Sequence, residues 1–165
     1  MDAAPFLAEV ARHLNAVRLE AVLIGNAAAA LQGAPVTTVD FDFLFRKTPG
    51  NVAKLKKLAD ALHATVMRPY YPVSDLFRVV RDADGLQLDF MATIHGVRSV
   101  AGLRARASAI DVGGETLHVA ALADIIKSKR AARRPSDIAV LPILEKALEE
   151  ATQPSSPARR RSQGK

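Results

Sequence analysis

The 165-residue sequence contains no cysteine. Disulfides, thiolate metal sites and cysteine nucleophiles are therefore excluded, and stability has to come from a packed core. Hydrophobic residues make up 49% of the chain, which is enough for one globular domain without a metal or disulfide as support. The absence of cysteine also fits a reducing compartment, so we expect a cytoplasmic protein.

Signals for export or membrane insertion are missing as well. Residues 1–5 contain no basic segment that leads into an apolar one, so no signal peptide is predicted. The uncharged stretch 21–39 is interrupted by Asn26, Gln32 and Gly33, whereas a spanning helix needs about 20 mainly apolar residues. This stretch favours a strand, a helix and a loop, and we expect no membrane partner.

Several common catalytic motifs are also absent. The sequence has no Walker loop, no Gly-x-Gly-x-x-Gly, no Gly-x-Ser-x-Gly elbow and no His-Glu-x-x-His helix. The histidines are scattered without metal-ligand spacing, and we interpret all of them as structural or surface residues: His13, His63, His95 and His118. Hydrolase functions therefore have no motif to support them.

Basic charge is concentrated at the C-terminus. Residues 154–165 hold four cations and no acid, so they account for +4 of the net +6 and leave +2 for the rest. The segment is rich in proline, serine and arginine and has no large apolar residue, so we predict a domain over 1–152 and a disordered basic tail over 153–165. A solubilising end is favoured over an arm that grips nucleic acid.

The spacing of apolar residues predicts an α/β (α+β) domain. Asp82 to Gly85 is a strong hairpin signal, and the last helix is expected to bury Ile138, Leu141, Leu144 and Leu148. Predicted helices cover about 4–18, 26–31, 49–62, 100–106, 122–132 and a segment from 135, and predicted strands cover about 21–24, 39–45, 76–81, 86–92, 108–112 and 116–119.

Asp40 and Asp42 form the most informative pair. Alternation along a strand places both carboxylates on one face about 7 Å apart, and hard oxygen ligands of this kind suit Mg²⁺. Asp89 lies in a second alternating strand and is the natural third carboxylate if the two strands pair. Surface strands also carry acids by chance. However, the apolar neighbours of this pair, such as Phe41 and Phe43, make two close carboxylates unfavourable unless a cation compensates them.

A strand-to-helix turn at Gly25 and Asn26 supplies a second element. Glycine lets the backbone approach a phosphate closely, and the N–H groups that open a helix attract anions. A tight turn with a helix cap explains the same two residues equally well when they are taken alone.

Taken together, the motifs resemble the polymerase-beta-like nucleotidyltransferase superfamily. The resemblance rests on two runs: Gly25-Asn26-x-Ala28, Gly33 and Thr38-Val39-Asp40-Phe41-Asp42, and then Leu122 to Asp137 with Lys129 and Arg134. The nearest branch is that of the toxins of abortive-infection toxin–antitoxin pairs. The resemblance implies a twisted mixed sheet with helices packed behind it and a C-terminal helical pair.

The resemblance also implies roles for single residues. Gly25, Asn26, Thr38, Lys129 and Arg134 would bind the nucleotide. The carboxylates Asp40, Asp42 and Asp89 would be catalytic and would hold Mg²⁺ (or Mn²⁺), and Asp89 would also activate the acceptor hydroxyl. The reaction would transfer an NMP from an NTP substrate to a hydroxyl, with tRNA or a protein as acceptor and an antitoxin protein as partner.

Three positions depart from the family's pattern. Val36 replaces an arginine, Asn26 replaces a second glycine or serine, and Val140 replaces an aspartate. None of these changes touches a carboxylate of the metal site, so we expect an active enzyme. The alternative is a catalytically silent domain that binds a nucleotide, RNA or an antitoxin.

Overall fold

The computed structural model describes residues 3–38 and 40–153. Within them the chain forms helices and strands in the order α1 (Ala4–Val17), β1 (Ala21–Ile24), α2 (Gly25–Leu31), β2 (Asp40–Phe45), α3 (Pro49–Ala61), β3 (Thr65–Met67), β4 (Phe77–Arg81), β5 (Leu86–Met91), α4 (Val100–Arg106), β6 (Ser108–Val112), β7 (Glu115–Val119), α5 (Leu122–Ala132) and α6 (Pro135–Thr152). The predicted mixed α/β fold class is confirmed.

Seven strands of the described chain form one mixed sheet in the order β3-β4-β5-β2-β1-β7-β6. β2 runs parallel to β5 and antiparallel to β1, and β1 runs parallel to β7. The central strands are therefore β5, β2 and β1, which carry the predicted carboxylates and the turn at Gly25.

Aromatic side chains fill the core beside these strands. The Phe43 and Phe90 rings stack with centroids 5.0 Å apart, and Phe45 meets Phe90 edge-on at 5.8 Å. All three side chains are fully buried. This packing fixes β2 against β5, and it turns the intervening Asp42 and Asp89 to the opposite face of the sheet.

One strand and one helix face differ from the sequence-based expectation. Strand β3 was not predicted, because it has only three residues and only Val66 among them is partly buried. The prediction that α6 buries Ile138 is wrong, since this side chain is 57% exposed whereas Leu144 is fully buried. The buried face of α6 begins at Asp137, whose ion pairs turn it inward, so that Ile138 lies about 100° further round the helix.

Helix α6 packs on α5, and α2 packs between α5 and the sheet strands β1 and β2. These contacts bring the C-terminal helices to the same side as the turn at Gly25. Within the described residues, none of the helices has the length and apolar composition needed to cross a bilayer. The tail predicted to be disordered falls outside the described residues from position 154 onward, as does the predicted first strand residue at position 39.

Candidate active site

One row of residues crosses four adjacent strands. The register pairs Arg78 of β4 with Asp89 of β5, Asp89 with Asp42 of β2, and Asp42 with Ile24 of β1. The two carboxylate strands therefore pair, which is the condition on which Asp89 was named as the third carboxylate. Two carboxylates occupy the middle of this row, a guanidinium lies at one end, and the turn that begins at Gly25 lies at the other.

Asp42 is the most perturbed carboxylate of the row. Burial, and then the like charges of Asp89 and Asp40, raise its pKa to about 6, although Lys129 and Arg134 act in the opposite direction. A carboxylate with this pKa is still ionised at pH 7, at a cost in free energy. A cation bound at Asp42 would reduce its repulsion with Asp89 and Asp40.

Asp40 opens strand β2 and is exposed. The Thr38 hydroxyl donates to the Asp40 carbonyl oxygen at 2.8 Å and accepts from the Asp40 backbone N–H at 3.2 Å. Thr38 lines the same cavity as the nucleotide-binding residues predicted with it, but its hydroxyl is engaged by the backbone. Its contacts therefore position Asp40 at the start of the strand.

Asp89 is held by a residue that the sequence analysis did not identify. The Arg78 guanidinium donates from Nε to Asp89 Oδ1 at 2.9 Å and from Nη2 to Oδ2 at 3.2 Å. Hydrogen bonding to Asp89 raises the pKa of Arg78 above its usual range. The predicted hairpin turn contains the signal that could have revealed this pair, because the register that places Arg81 opposite Leu86 also places Arg78 opposite Asp89.

The turn at Gly25 brings the backbone against Asp42. Gly25 has φ +69°, and a Cβ at this position would lie 3.2 Å from Asp42 Oδ2. A larger residue would therefore be strained and would crowd the carboxylate. Next to it, the Asn26 Oδ1 atom is buried without a hydrogen-bond partner among the described residues.

Because Asn26 Oδ1 has no hydrogen-bond partner among the described residues, the Asn26 side chain is available to a ligand. The oxygen and nitrogen of an asparagine exchange places when the amide rotates, so Asn26 can present either an acceptor or an NH₂ donor to a ligand. Buried polar atoms normally have partners. The unsatisfied amide of Asn26 therefore fits a ligand that would enter the cavity beside Asp42.

The C-terminal helices contribute two cations to the site, Lys129 and Arg134, which we call the Lys129–Arg134 corner. Asp137 is buried and accepts from Lys129 Nζ at 3.4 Å and from Arg134 Nε at 2.8 Å. Burial alone would raise the pKa of Asp137, but the bonds from Arg134 and the charge of Lys129 outweigh burial, and the pKa is lowered. The Lys129 side chain is only 13% exposed, so its ammonium group is held against Asp137 and largely removed from bulk water.

All the predicted site residues line one cavity of about 400 Å³. They are Gly25, Asn26, Thr38, Asp40, Asp42, Asp89, Lys129 and Arg134. The same cavity is also lined by polar residues that the sequence analysis did not select: Arg78, Gln87, Thr93, His95, Asp124 and Ser128. His95 is a surface residue as expected, but it lies at this cavity, and no spacing rule in the sequence points to that location.

The donor set can be tested against a divalent cation. Asp40 and Asp42 offer the hard oxygen ligands that Mg²⁺ prefers, and Mg²⁺ commonly takes its other ligands from water and substrate phosphates. Within residues 3–38 and 40–153, however, no three His, Asp or Glu side chains are placed as a ready metal-binding group. Both oxygens of the nearby Asp89 are bound by Arg78. The Asp40–Asp42 pair offers oxygen ligands that fit the ion, and each Asp89 oxygen retains one lone pair beside its bond from Arg78.

Comparison by sequence finds no matching family model and no matching curated protein. Comparison by structure finds nucleotidyltransferases. The antibiotic-resistance factor ANT(2″)-Ia has a TM-score of 0.62 at 14% identity, over 90% of this chain and 86% of its own. A candidate nucleotidyltransferase from Thermotoga maritima has a TM-score of 0.56 at 18% identity, over 88% of this chain and 92% of its own.

A third neighbour is the lincosamide antibiotic adenylyltransferase LnuA, with a TM-score of 0.62 at 9% identity, over 89% of this chain and 98% of its own. The structures of these proteins resemble this one along most of their length. The chain thus has the polymerase-beta-like nucleotidyltransferase fold, as the sequence motifs imply. Identities this low carry the fold and nothing finer, and none of these proteins is a toxin by its description.

Proposed function

We propose that this protein is a metal-dependent nucleotidyltransferase that moves an NMP from an NTP to a hydroxyl acceptor. The observation that carries the proposal is the row in which Asp42 and Asp89 lie side by side, within one cavity that also contains Lys129 and Arg134. Paired carboxylates beside fixed cations match the needs of nucleotidyl transfer, in which positioning and charge neutralisation supply most of the acceleration.

In this proposal, one end of the row binds the triphosphate and the other end binds the acceptor. On the β1 side, Gly25, Asn26, Lys129 and Arg134 would bind the triphosphate, because cations and a close backbone suit phosphate oxygens. On the β4 side, the space beside Asp89 is left for the acceptor. Asp40 and Asp42, with Asp89, would hold Mg²⁺, which when bound would neutralise phosphate charge and polarise the reacting oxygens.

Residues of this chain would accept the proton and stabilise the charge that the transfer produces. The acceptor oxygen forms a bond to the α-phosphorus while the bond from the α-phosphorus to the bridging oxygen of pyrophosphate breaks. Asp89 takes the proton of the acceptor hydroxyl, since a carboxylate oxygen bound to Arg78 retains a second lone pair. Lys129 and Arg134 stabilise the charge of the departing pyrophosphate.

The finer expectations belong to this proposal as well. The motif resemblance favours tRNA or a protein as acceptor and an antitoxin as partner. ANT(2″)-Ia and LnuA are described with antibiotics, namely adenylyl-2″-tobramycin and lincomycin. The acceptor class therefore has to be determined for this chain by itself.

The proposal is tested by incubating the protein with Mg²⁺, each α-labelled NTP and total RNA, and by following label transfer together with release of pyrophosphate. We expect transfer by the wild type and a loss of more than a hundredfold in Asp42→Asn. Asp60→Asn is the matched control, since Asp60 is an exposed carboxylate of α3 outside the cavity. Tight NTP binding without any transfer to RNA, protein or small hydroxyl compounds would instead favour the catalytically silent alternative.

A further inference from the structure

One short segment holds most of the exposed large hydrophobic side chains of the described residues. Among the described residues, six large hydrophobic side chains are exposed, and four of them lie between positions 67 and 73: Met67, Tyr70, Tyr71 and Val73. Tyr70 is 52% and Tyr71 is 61% exposed. Exposed apolar side chains that cluster in this way mark a binding surface more often than isolated ones do.

The segment is fixed to the sheet by Arg68. The Arg68 guanidinium lies 4.1 Å from the Tyr71 ring centroid and 4.9 Å from that of Phe77, and it donates to Asp75 at 3.1 Å. Lys47 binds the other oxygen of Asp75 at 2.8 Å. These contacts position the Tyr71 ring while leaving much of its surface exposed. We call Tyr70 and Tyr71 together the tyrosine platform.

The tyrosine platform is connected to the candidate active site through Arg78. The Arg78 guanidinium lies 5.7 Å from the Tyr70 ring centroid and binds Asp89 through both carboxylate oxygens. Asp89, Arg78 and Tyr70 therefore follow one another outward from the carboxylate pair. This is the β4 end of the row, opposite the cations that would hold the triphosphate.

The charged side chains around the platform limit the classes of acceptor molecule that it can bind. The acids next to it are Asp75 and Asp89, and both are already bound by cations, namely Lys47 with Arg68 and Arg78. A polycationic acceptor would find no free carboxylate in this pair. An unpaired nucleotide has a planar base and an anionic backbone. The base could stack on the tyrosines, and the backbone could contact the neighbouring arginines, as in proteins that bind single-stranded nucleic acid.

The basic cluster on α5 and at the start of α6 is a weaker candidate for the same role. Of the cations Lys127, Lys129, Arg130, Arg133 and Arg134, three are engaged: Arg130 with Glu145 at 2.7 Å, and Lys129 and Arg134 with Asp137. Lys129 and Arg134 are also on the triphosphate side of the cavity. An acceptor strand that entered there would compete with the nucleotide.

We infer that the tyrosine platform binds an unpaired base at the end of a single-stranded RNA acceptor and so brings the terminal hydroxyl to Asp89. The inference rests on the proposed function for the role of Asp89. The binding step itself does not require transfer, because the platform lies outside the carboxylate pair. Binding and transfer can therefore be measured separately.

The chain offers a direct probe of the platform. It contains two tyrosines in total and no tryptophan, so its ultraviolet fluorescence above 300 nm comes from Tyr70 and Tyr71 alone. Short single-stranded RNA should quench this emission by stacking, after correction for base absorption with free tyrosine amide. The affinity is measured in parallel as fluorescence anisotropy of a 5′-labelled RNA of about ten nucleotides with the full-length protein.

Tyr70→Ala/Tyr71→Ala should weaken RNA binding by roughly tenfold or more, because stacking of bases on aromatic rings supplies a large share of the affinity for single strands. Tyr70→Phe/Tyr71→Phe keeps both rings and should retain wild-type affinity. Ile138→Ala, which truncates an exposed apolar side chain on α6, is the matched control and should change nothing. The basic C-terminal segment is present in every variant, so the comparison isolates the rings.

Equal RNA affinity in the wild type and the double alanine variant would overturn the inference, as would equal binding of single-stranded and duplex RNA in all variants. Asp42→Asn separates this failure from that of the proposed function, since it should abolish transfer and leave RNA binding unchanged. Mg²⁺–NTP binding, followed by thermal shift, should survive in the double alanine variant. A platform variant that loses RNA binding together with its melting transition is replaced by the single changes Tyr70→Ala and Tyr71→Ala.

Discussion

At Asp42 the stability of the fold and the proposed chemistry oppose each other. The side chain is partly buried beside Asp89, and its ionised form is disfavoured by burial and by repulsion. A site built to receive cations is expected to show this tension when no cation is present. The consequence can be measured without any substrate.

We expect Asp42→Asn to stabilise the protein at pH 7 in the absence of divalent metal. The folded pKa of about 6 lies above the ordinary aspartate value of 3.8, so stability is lost as the pH rises from about 4 to about 6, and the full loss is present above that range. The difference corresponds to about 2–3 kcal/mol and should disappear below about pH 4, where Asp42 is protonated in both states. Urea denaturation of both proteins from pH 4 to 8 measures it. A stability difference that grew as the pH fell would contradict the sign of this effect.

The Arg78–Asp89 pair allows a second test at single residues. Arg78→Ala should lower the free energy of unfolding by about 1–2 kcal/mol, because a buried carboxylate beside Asp42 loses its partner. Asp89→Asn in the Arg78→Ala background should recover part of that loss. A double-mutant cycle by chemical denaturation gives the coupling, and strictly additive changes would show that the two side chains do not interact.

At the scale of elements, the junction of α5 and α6 depends on one carboxylate. Asp137→Asn should lower the free energy of unfolding by about 2–3 kcal/mol, since Lys129 and Arg134 both lose a buried charged partner. Arg130→Ala is the control from the same junction. It removes the exposed pair with Glu145 and should change stability by less than about 0.5 kcal/mol. Similar effects of the two changes in thermal and urea unfolding would refute the special role of Asp137.

Elements with a strong apolar period could be predicted from the sequence, and weakly patterned ones could not. The hairpin between β4 and β5 follows from Asp82 to Gly85, and that turn also fixes the pairing of Arg78 with Asp89. Strand β3 has too few residues for a pattern and exists because it pairs with β4. Only the first residue of the buried face of α6 was predicted wrongly, because an ion-paired residue, Asp137, and not the apolar Ile138, begins that face.

At the scale of the whole molecule, the site combines segments that are far apart in the sequence. The two sequence motifs, Gly25 to Asp42 and Leu122 to Asp137, predicted which carboxylates and cations belong to the site. They could do so because strand alternation and motif spacing are local properties of the sequence. Their meeting in one cavity depends on the order β4-β5-β2-β1 and on α5 packing beside α2, which no local pattern specifies. His95 and Asp124 line the same cavity for that reason alone and could not have been selected in advance.

In the proposed function, the carboxylates form one nucleotide site together with the Lys129–Arg134 corner. Isothermal titration calorimetry with Mg²⁺ and a non-hydrolysable analogue of each NTP tests it most directly. We predict binding of at least one analogue that requires Mg²⁺, is lost in Asp42→Asn, is weakened at least tenfold in Lys129→Ala and is unchanged in Asp60→Asn. Nucleotide binding that is independent of Mg²⁺ and equal in all four proteins, or no binding of any analogue to the wild type, would contradict the account.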